Sequence, residues 1–249
     1  EIDGTQYQGG TKWLSGIYNG GSYDTLRNNH VHHIANDVPC ETTGGAGIGV
    51  DSYYRGMRSE VTGNSVHDIG PEGCRFIHGI YVSTQASVKN NIVYRISGNG
   101  LQLWRDANNV LIAGNTVSGA FTGIAVGGGE YYHTKGPNDR TQVHNNIVFD
   151  NKHGVQEHGE TGKDNSYRNN LVFGNTGGDW KLAEGMSHSG TIAAPPGFVA
   201  YSRDGTPDFR LTPKSPAVGK ALPASFAPGE PDFNGKPRRG EFDIGALQH

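Results

Sequence analysis

The sequence predicts an all-β protein built as a parallel β-helix, a solenoid of stacked coils, and three observations support this prediction. A frame centred on asparagine recurs six times, with valine two residues after the asparagine and an apolar or tyrosine residue three before it. A Gly-apolar-x-apolar frame follows in successive copies. The segment between the two frames varies in length, from Asn29–Gly47 in the first copy to the shorter Asn146–Gly154 in a later one. Insertions therefore fall between the predicted strands and leave both frames intact. Such short repeats cannot each bury an apolar face alone, so they must stack.

The first frame is expected to turn each coil at a corner. Its asparagines are Asn29, Asn64, Asn91, Asn115, Asn146 and Asn170. Asparagine adopts the left-handed conformation at low cost, and identical side chains above and below can hydrogen-bond to one another. We therefore predict a structural asparagine ladder. The valines that follow it are expected to fill the interior: Val31, Val66, Val93, Val117, Val148 and Val172.

The chain is expected to form a single domain, residues 1–249. Residues 1–22 are rich in glycine and form a worn first coil or a cap, which solenoids need at an open end. The coils run through residues 23–185. From residue 186 the chain is rich in proline and forms an irregular tail, because proline cannot donate to a strand ladder.

Composition excludes several classes of function. The net charge of −3 excludes a nucleic-acid binder driven by phosphate attraction. No apolar run is long enough to span a membrane, so we expect no membrane partner. The chain starts at Glu1 without a methionine, which is typical of a mature secreted or periplasmic chain. We expect it to act as a monomer.

Cys40 and Cys74 are the two cysteines of the chain. They precede the glycine of the second frame in the first two copies, and stacked coils bring such equivalent positions together. We therefore predict a disulfide, which indicates an oxidising compartment.

The tail motifs DFRLTPKSPAVGK and DFNGKPRRGEFDIGA resemble the C-terminal segment of secreted right-handed parallel β-helix proteins, which include relatives of the alginate and chondroitin lyases. The HGIYVS stretch at 78–83 is similar to the same superfamily. The resemblance implies a right-handed helix with the tail packed along the outside. It leaves the activity open, because the superfamily contains lyases, hydrolases, epimerases and proteins without catalysis.

The second frame places polar and aromatic side chains on one outer face. Alternation sends Ile80, Val82 and their equivalents inward, so the intervening side chains face solvent. The outward residues, coil by coil, are His78, Tyr81, Gln102, Trp104, Ala125, Gln156 and His158. Hydroxyl groups and ring faces of a sugar chain need such partners.

Two long loops follow these strands, and we expect them to wall a groove on that face. The first carries Tyr53, Tyr54, Arg55 and Arg58; the second carries Glu130, Tyr131, Tyr132, His133, Lys135 and Arg140; Trp104 and Arg105 lie between them in sequence. From these we predict a substrate-binding set of Gln102, Trp104, Tyr131, Arg140, Gln156, His158, Tyr53 and Arg55.

The residue types favour β-elimination from a uronate polymer over hydrolysis. Hydrolysis of a glycosidic bond needs two facing carboxyl groups, and the outward face offers no repeated pair. Elimination needs a cation for the substrate carboxylate, a base and an acid. We expect Lys135 or Arg105 to be the cation, Tyr81 or Tyr132 to handle the proton of the leaving oxygen, and His78 or His133 to be the base. The resemblance makes an alginate-type polymer the first substrate to test.

Two other classes of function remain open. A C5 epimerase would use the same groove, and a carbohydrate-binding β-helix would bind without turnover. The chain lacks the DPHD stretch of mannuronan epimerases, the paired aspartates of polygalacturonases and the acidic calcium cluster of pectate lyases. We predict no catalytic metal and no required cofactor; a structural calcium ion is compatible with Asp37, Glu41, Asp51 or Glu72.

Overall fold

The computed structural model describes residues 1–7, 13–40 and 44–249. Its strands form the predicted single all-β solenoid. The coils present three parallel faces, which we call sheets 1, 2 and 3; sheets 2 and 3 are the two parts of one 12-stranded sheet. Within the described ranges the longest helical element is the 3₁₀ turn Pro223–Ser225. No helix in these ranges is both long and apolar enough to cross a membrane.

Sheet 1 precedes the asparagine corner. Its strands are β3 (Thr25–Arg27), β6 (Ser59–Thr62), β9 (Ala86–Lys89), β11 (Leu111–Ala113), β13 (Gln142–His144), β16 (Ser166–Arg168) and β19 (His188–Ser189).

Sheets 2 and 3 follow the corner and share two long strands, β10 (Ile92–Leu103) and β12 (Thr116–Gly128). The first halves of these strands lie in sheet 2 with β1 (Ile2–Asp3), β4 (His30–His32), β7 (Ser65–Ile69), β14 (Ile147–Phe149) and β17 (Leu171–Phe173). Their second halves lie in sheet 3 with β2 (Leu14–Asn19), β5 (Gly45–Val50), β8 (Ile77–Val82), β15 (His153–Gly159) and β18 (Trp180–Lys181).

The core is a stack of aliphatic side chains in register. Val31 pairs with Val66, Val66 with Val93, and Val93 with Val117. The column continues through Val148 and Val172, and its six valines are all fully buried, as the sequence predicts. Burial of such side chains stabilises each coil only against its neighbours, which is why the repeat must stack.

The asparagine ladder runs along the corner without a break. In one step of it, the backbone N–H and Nδ2 of Asn91 both donate to Oδ1 of Asn115, at 3.0 and 2.9 Å, and Nδ2 also donates to the carbonyl of Val61 at 2.9 Å. The same contacts link all six asparagines from Asn29 to Asn170. The ladder satisfies side-chain and backbone groups that burial would otherwise leave unpaired.

The left-handed residue of each corner is not the ladder asparagine, and our prediction on this point is wrong. Positive φ angles of 49° to 65° belong to the residue just before it: Asn28, Gly63, Asn90, Gly114, Asn145 and Asn169. This residue turns the chain, and every copy has asparagine or glycine there, the residues that accept this conformation at low cost.

The C-terminal tail packs along the outside of sheet 2, as the resemblance implies. Its strands β20 (Phe198–Ala200) and β21 (Asp208–Leu211) pair antiparallel. Outward apolar residues of the coils are covered by the tail: Ile147 and Leu171 pack with Leu211, Ala217 and Ile244, and Ile92 packs with Phe209, Ala246 and Leu247.

Side chains of the left-handed asparagines tie the tail to the corner. Asn90 donates to Glu230 Oε1 at 3.0 Å and accepts from Arg238 at 2.8 Å. Asn145 donates to the carbonyl of Leu222 and accepts from its N–H. At Gly114 a Cβ would lie 2.8 Å from the ring of Phe226, so glycine here leaves space for the tail.

Cys40 and Cys74 form the predicted disulfide, with their Cα atoms 5.0 Å apart. It joins the segment that leads into β5 to the segment that leads into β8. The bridge therefore fixes two entries to sheet 3, next to the candidate site described below.

Candidate active site

The outer face of sheet 3 is open, in contrast to that of sheet 2. Alternation buries Ile80, Leu101 and Ile124, as predicted. The register aligns Tyr81 with Gln102, Gln102 with Ala125, and Ala125 with Gln156. One column of outward residues, polar except at Ala125, thus crosses four coils on a rigid support; we call it the polar column.

A cleft of about 550 Å³ lies on this face. Seven residues of the predicted site line it: His78, Tyr81, Gln102, Trp104, Arg105, Gln156 and His158. A smaller cleft of about 240 Å³ adjoins it and shares Trp13, Tyr81 and Arg105. The smaller cleft adds the predicted Tyr53 and Tyr132, and also Tyr18 and Asp51. We call the two clefts together the outer groove.

Several lining residues were not predicted. They are Trp13, Arg75, Phe76, Asn99, Phe121 and Thr122, with Tyr18 in the smaller cleft. Glu130 lines the groove as a residue of the loop expected to wall it, and Asp51, considered above only as a calcium ligand, lines the smaller cleft. Arg75 and Phe76 directly follow Cys74, so the disulfide holds the segment that supplies them. The guanidinium of Arg75 lies 3.6 Å from the ring centroid of Phe121. The only signal in the sequence was their position next to the strands of sheet 3.

His78 is a neutral hydrogen-bonding group on the floor of the groove. Its side chain is buried, with 5% of the residue exposed, and burial, aided by the charge of His158, lowers its pKa to about 3. Its Nδ1 lies 3.2 Å from the backbone nitrogen of Asn99, whose N–H must donate to it. The proton of the neutral ring is therefore on Nε2, and that nitrogen is a donor.

Tyr81 lies beside His78 and keeps its phenolic proton at neutral pH. The two rings stack with centroids 5.9 Å apart, and Trp13 packs edge-on against Tyr81 at 4.9 Å. Burial raises the pKa of Tyr81, and the nearby Arg105 offsets this only in part. A buried phenol with a raised pKa is a proton donor at neutral pH.

Arg105 is held at the junction of the two clefts. Its left-handed backbone, with φ of 54°, turns the chain out of sheet 3. Nη1 donates to the carbonyl of Glu130 at 2.8 Å and lies 3.2 Å from Oε2 of the same residue. The guanidinium also lies 4.5 Å from the ring centroid of Tyr132. These contacts hold a cation beside Tyr81, with which it lines both clefts.

Gln102, Trp104 and His158 form the far part of the groove. The Gln102 amide donates to the carbonyl of Leu103 at 2.6 Å and reaches Nε2 of His158 at 3.3 Å. Trp104 stacks on His158 with centroids 5.1 Å apart. Burial and then the charge of Lys181 lower the pKa of His158. This part of the groove offers aromatic surface and amide groups, which suit a sugar ring.

Asp106 folds the second loop away from the groove from His133 onward. Its carboxylate accepts hydrogen bonds from the backbone N–H groups of His133 and Thr134 and from the hydroxyl of Ser52. Burial acts to raise the pKa of Asp106, but these hydrogen bonds outweigh it, so the pKa is lowered. The loop is thereby fixed as an ordered turn.

As a result, five predicted loop residues lie outside the outer groove. Arg55, His133 and Arg140 line a separate cleft of about 460 Å³. Lys135 is exposed and lines none of these clefts. The Tyr131 hydroxyl donates a hydrogen bond to Glu160 at 3.0 Å, and burial together with Glu160 raises the pKa of Tyr131 to about 12. The predicted roles of these residues remain predictions.

The expectation of a structural calcium ion also remains a prediction. Asp37 and Glu72 are exposed, and Asp51 accepts the backbone N–H of Tyr53 at 2.6 Å. Glu41 lies outside the described residues.

Comparisons with known proteins identify the architecture. A family model described as a right-handed β-helix region matches residues 15–189. The crystal structure of pectate lyase Pel9A is similar, with a TM-score of 0.50 and 15% sequence identity over 95% of this chain and 69% of that chain. At this identity the likeness concerns the fold. No curated protein matches the chain.

Proposed function

The chain belongs to the right-handed β-helix family, and from this premise we propose that it is a polysaccharide lyase that cleaves a uronate-containing polymer by β-elimination in the outer groove. The observation that carries the proposal is that Arg105 and the buried Tyr81, whose phenol keeps its proton, line both clefts together. Elimination requires a cation and an acid in this relation.

Arg105 is assigned to the substrate carboxylate. A guanidinium that neutralises the carboxylate makes the adjacent C5 proton more acidic and stabilises the charge that develops when it leaves. Arg75 gives the groove a second positive group, although the net charge of the chain is −3. The groove thus offers two guanidinium groups to the carboxylates of an acidic polymer, alongside its own carboxylates Glu130 and Asp51.

The base is assigned to Asp51. Its Oδ1 accepts the N–H of Tyr53 at 2.6 Å, and it lines the smaller cleft together with Arg105 and Tyr81. The base removes the C5 proton, the electron pair forms the C4–C5 double bond, the C4–O bond breaks, and Tyr81 donates its proton to the leaving oxygen. His78, whose free nitrogen carries a proton, is assigned to a hydrogen bond with the substrate.

The aromatic rings of the groove support a sugar polymer as substrate. Trp13 and Trp104 line it at different coils, and Gln102 and Gln156 supply amides between them. We propose an alginate-type or pectate-type uronate as the first class to test. The disulfide suits action in an extracellular or periplasmic space, and we propose a monomer without a required cofactor.

A C5 epimerase is the second candidate, because two phenols flank Arg105. Tyr81 lies near its guanidinium, and Tyr132 stacks beneath it at 4.5 Å. An epimerase removes the same C5 proton and returns one from the other side. It would yield no unsaturated product.

The test is ultraviolet absorbance of the unsaturated uronate during incubation with alginate, polymannuronate, polyguluronate, pectate, glucuronan and glycosaminoglycans. We expect a rise with one class for the wild type and a rate at least about 100-fold lower for Tyr81→Phe. The matched control is Tyr23→Phe, at an exposed tyrosine that lines neither part of the groove. Failure of every polymer to produce a rise would overturn the lyase assignment; proton exchange at C5 without a rise would favour the epimerase.

A further inference from the structure

A cluster of histidines lies on the outer face of sheet 2, away from the outer groove. His30 and His32 belong to β4, and His67 belongs to the next strand of the sheet, β7. The ring centroids of these three residues lie 4.5 to 5.3 Å apart. Neither the sugar chemistry proposed above nor the core of the solenoid uses them.

A carboxylate completes the cluster. Oε1 of Glu1 lies 3.1 Å from Nε2 of His32 and 3.7 Å from Nδ1 of His30. These three atoms all lie within 4.8 Å of one another. In a tetrahedral zinc site, bonds of 2.0–2.2 Å place ligand atoms about 3.3 Å apart. The two distances from Glu1 Oε1, 3.1 and 3.7 Å, are close to this spacing.

A chain of hydrogen bonds orients His30. Arg95 holds both oxygens of Asp68, at 2.6 and 2.7 Å, and Asp68 accepts the Nδ1 proton of His67 at 2.5 Å. His67 therefore has its lone pair on Nε2, which lies 2.6 Å from Nε2 of His30. His30 must donate from that nitrogen, which leaves the lone pair of its Nδ1 free toward Glu1.

A second imidazole orients His32 in the same way. Its Nδ1 lies 2.7 Å from Nδ1 of His33, so one proton is shared between them. When His32 supplies that proton, the lone pair of its Nε2 faces Glu1. In that tautomer two imidazole lone pairs and a carboxylate converge on one point, and a cation bound there relieves their repulsion.

We propose that Glu1 Oε1, His30 Nδ1 and His32 Nε2 form a binding site for a divalent transition-metal ion of the Zn²⁺ class. Imidazole and carboxylate ligands suit such ions, whereas Ca²⁺ takes oxygen ligands. His67 and His33 are positioning residues, because each accepts the proton on the second nitrogen of a ligand ring, the arrangement that orients metal-bound histidines.

The accessibility of the cluster also fits the proposal. The His30 and Glu1 side chains are 47% and 66% exposed, so an ion can enter and keep water as a fourth ligand. The bound ion would link β1 to β4, the first two strands of sheet 2.

The test is equilibrium dialysis and calorimetric titration of chelator-treated protein with Zn²⁺. We expect one Zn²⁺ per chain and a rise in melting temperature with Zn²⁺. His67→Asn, which removes a positioning residue, should weaken binding about 10- to 100-fold, and His30→Asn, which removes a ligand, by more. His249→Asn is the matched control, because this histidine lies at the other end of the chain, and it should bind like the wild type.

The melting temperature of each metal-free variant shows whether it is folded, and His30 is suited to substitution because it is partly exposed. Absence of stoichiometric Zn²⁺ binding, or equal binding by folded His30→Asn, would overturn the site. Equal affinity for Ca²⁺ would contradict ligation by imidazole. No polysaccharide enters this experiment, so its outcome is independent of the proposed lyase activity.

Discussion

Sheets 2 and 3 are made by the same coils, and β10 and β12 run through both, yet their outer faces differ. On sheet 2 the outward residues Ile92, Ile147 and Leu171 are covered by the C-terminal tail. On sheet 3 the outward residues Tyr81, Gln102 and Gln156 line an open groove. The inward residues of both sheets are buried aliphatic side chains, so the outward residues determine whether a face is covered by the tail or left open.

The difference teaches where a solenoid places function. Outward apolar side chains stabilise the fold only if another segment removes them from water, and the tail does so. Outward phenol, amide and imidazole groups keep hydrogen-bonding capacity for a ligand if they stay uncovered. A rigid stack of coils then holds these groups in place, and loop residues such as Arg105 complete the site.

The largest expected effect on stability is on the covered face. Ile147→Ala removes a fully buried side chain between sheet 2 and the tail, and should cost about 2–5 kcal/mol of the free energy of unfolding. Gln156→Ala on the open face should change it by less than about 0.5 kcal/mol. Urea denaturation measures both, and equal losses would contradict the distinction between the faces.

Substitutions on the open face should instead have the largest effect on activity. Arg105→Ala removes the proposed carboxylate partner and should lower kcat/KM about 100- to 1000-fold on the polymer that responds. Arg210→Ala is the matched control, because Arg210 pairs with Asp208 on the tail, far from the groove in sequence and lining neither part of it. A comparable activity in both variants would remove Arg105 from the mechanism.

The open face of sheet 3 buries His78, and sheet 1 buries His144 beside Ser225 of the tail; the pH dependence of stability should reveal both. Burial lowers the pKa of His78 to about 3 and that of His144 to about 4. In the unfolded chain each ring takes up a proton near pH 6.5. Because the unfolded state binds more protons, stability should fall as the pH drops from about 6.5 toward these values.

His78→Gln and His144→Gln should each flatten this dependence by about one proton near pH 5. Urea denaturation at several pH values measures the slope of the free energy of unfolding against pH. This slope is unaffected by a substitution that lowers stability equally at every pH. A slope unchanged in both variants would mean that neither ring is neutral in the folded protein.

The smallest effect is expected at Lys135. Its side chain is exposed and lines neither part of the groove, so Lys135→Ala should leave kcat/KM within about twofold of the wild type. The same polymer assay measures it. A loss as large as that of Arg105→Ala would restore Lys135 as the carboxylate partner and imply that the loop closes over the substrate.

The repeat made the fold and the polar column predictable. Period-two strands fix which residues face outward, so Tyr81, Gln102 and Gln156 could be placed from the sequence. The asparagine ladder was predictable too, but the sequence did not separate the ladder residue from the left-handed residue before it, because asparagine occupies both positions in several copies.

The loops were less predictable, since long-range contacts position them. The carboxylate of Asp106 gathers His133 and Thr134 by hydrogen bonds, which directs that loop to a second cleft. Trp13 reaches the groove from the first coil, and Arg75 depends on a segment joined by a disulfide. Sequence spacing predicted the disulfide itself, but not which side chains these contacts bring into the groove.

Tryptophan fluorescence tests the central claim, that the open face of sheet 3 binds an acidic sugar chain, most directly. Trp13 and Trp104 line the outer groove, whereas Trp180 lines neither part of it. Titration of Tyr81→Phe with an oligouronate should give a saturable change that weakens with salt and is reduced by a further Trp104→Phe substitution. No change, or an equal change with a neutral oligosaccharide, would contradict the account.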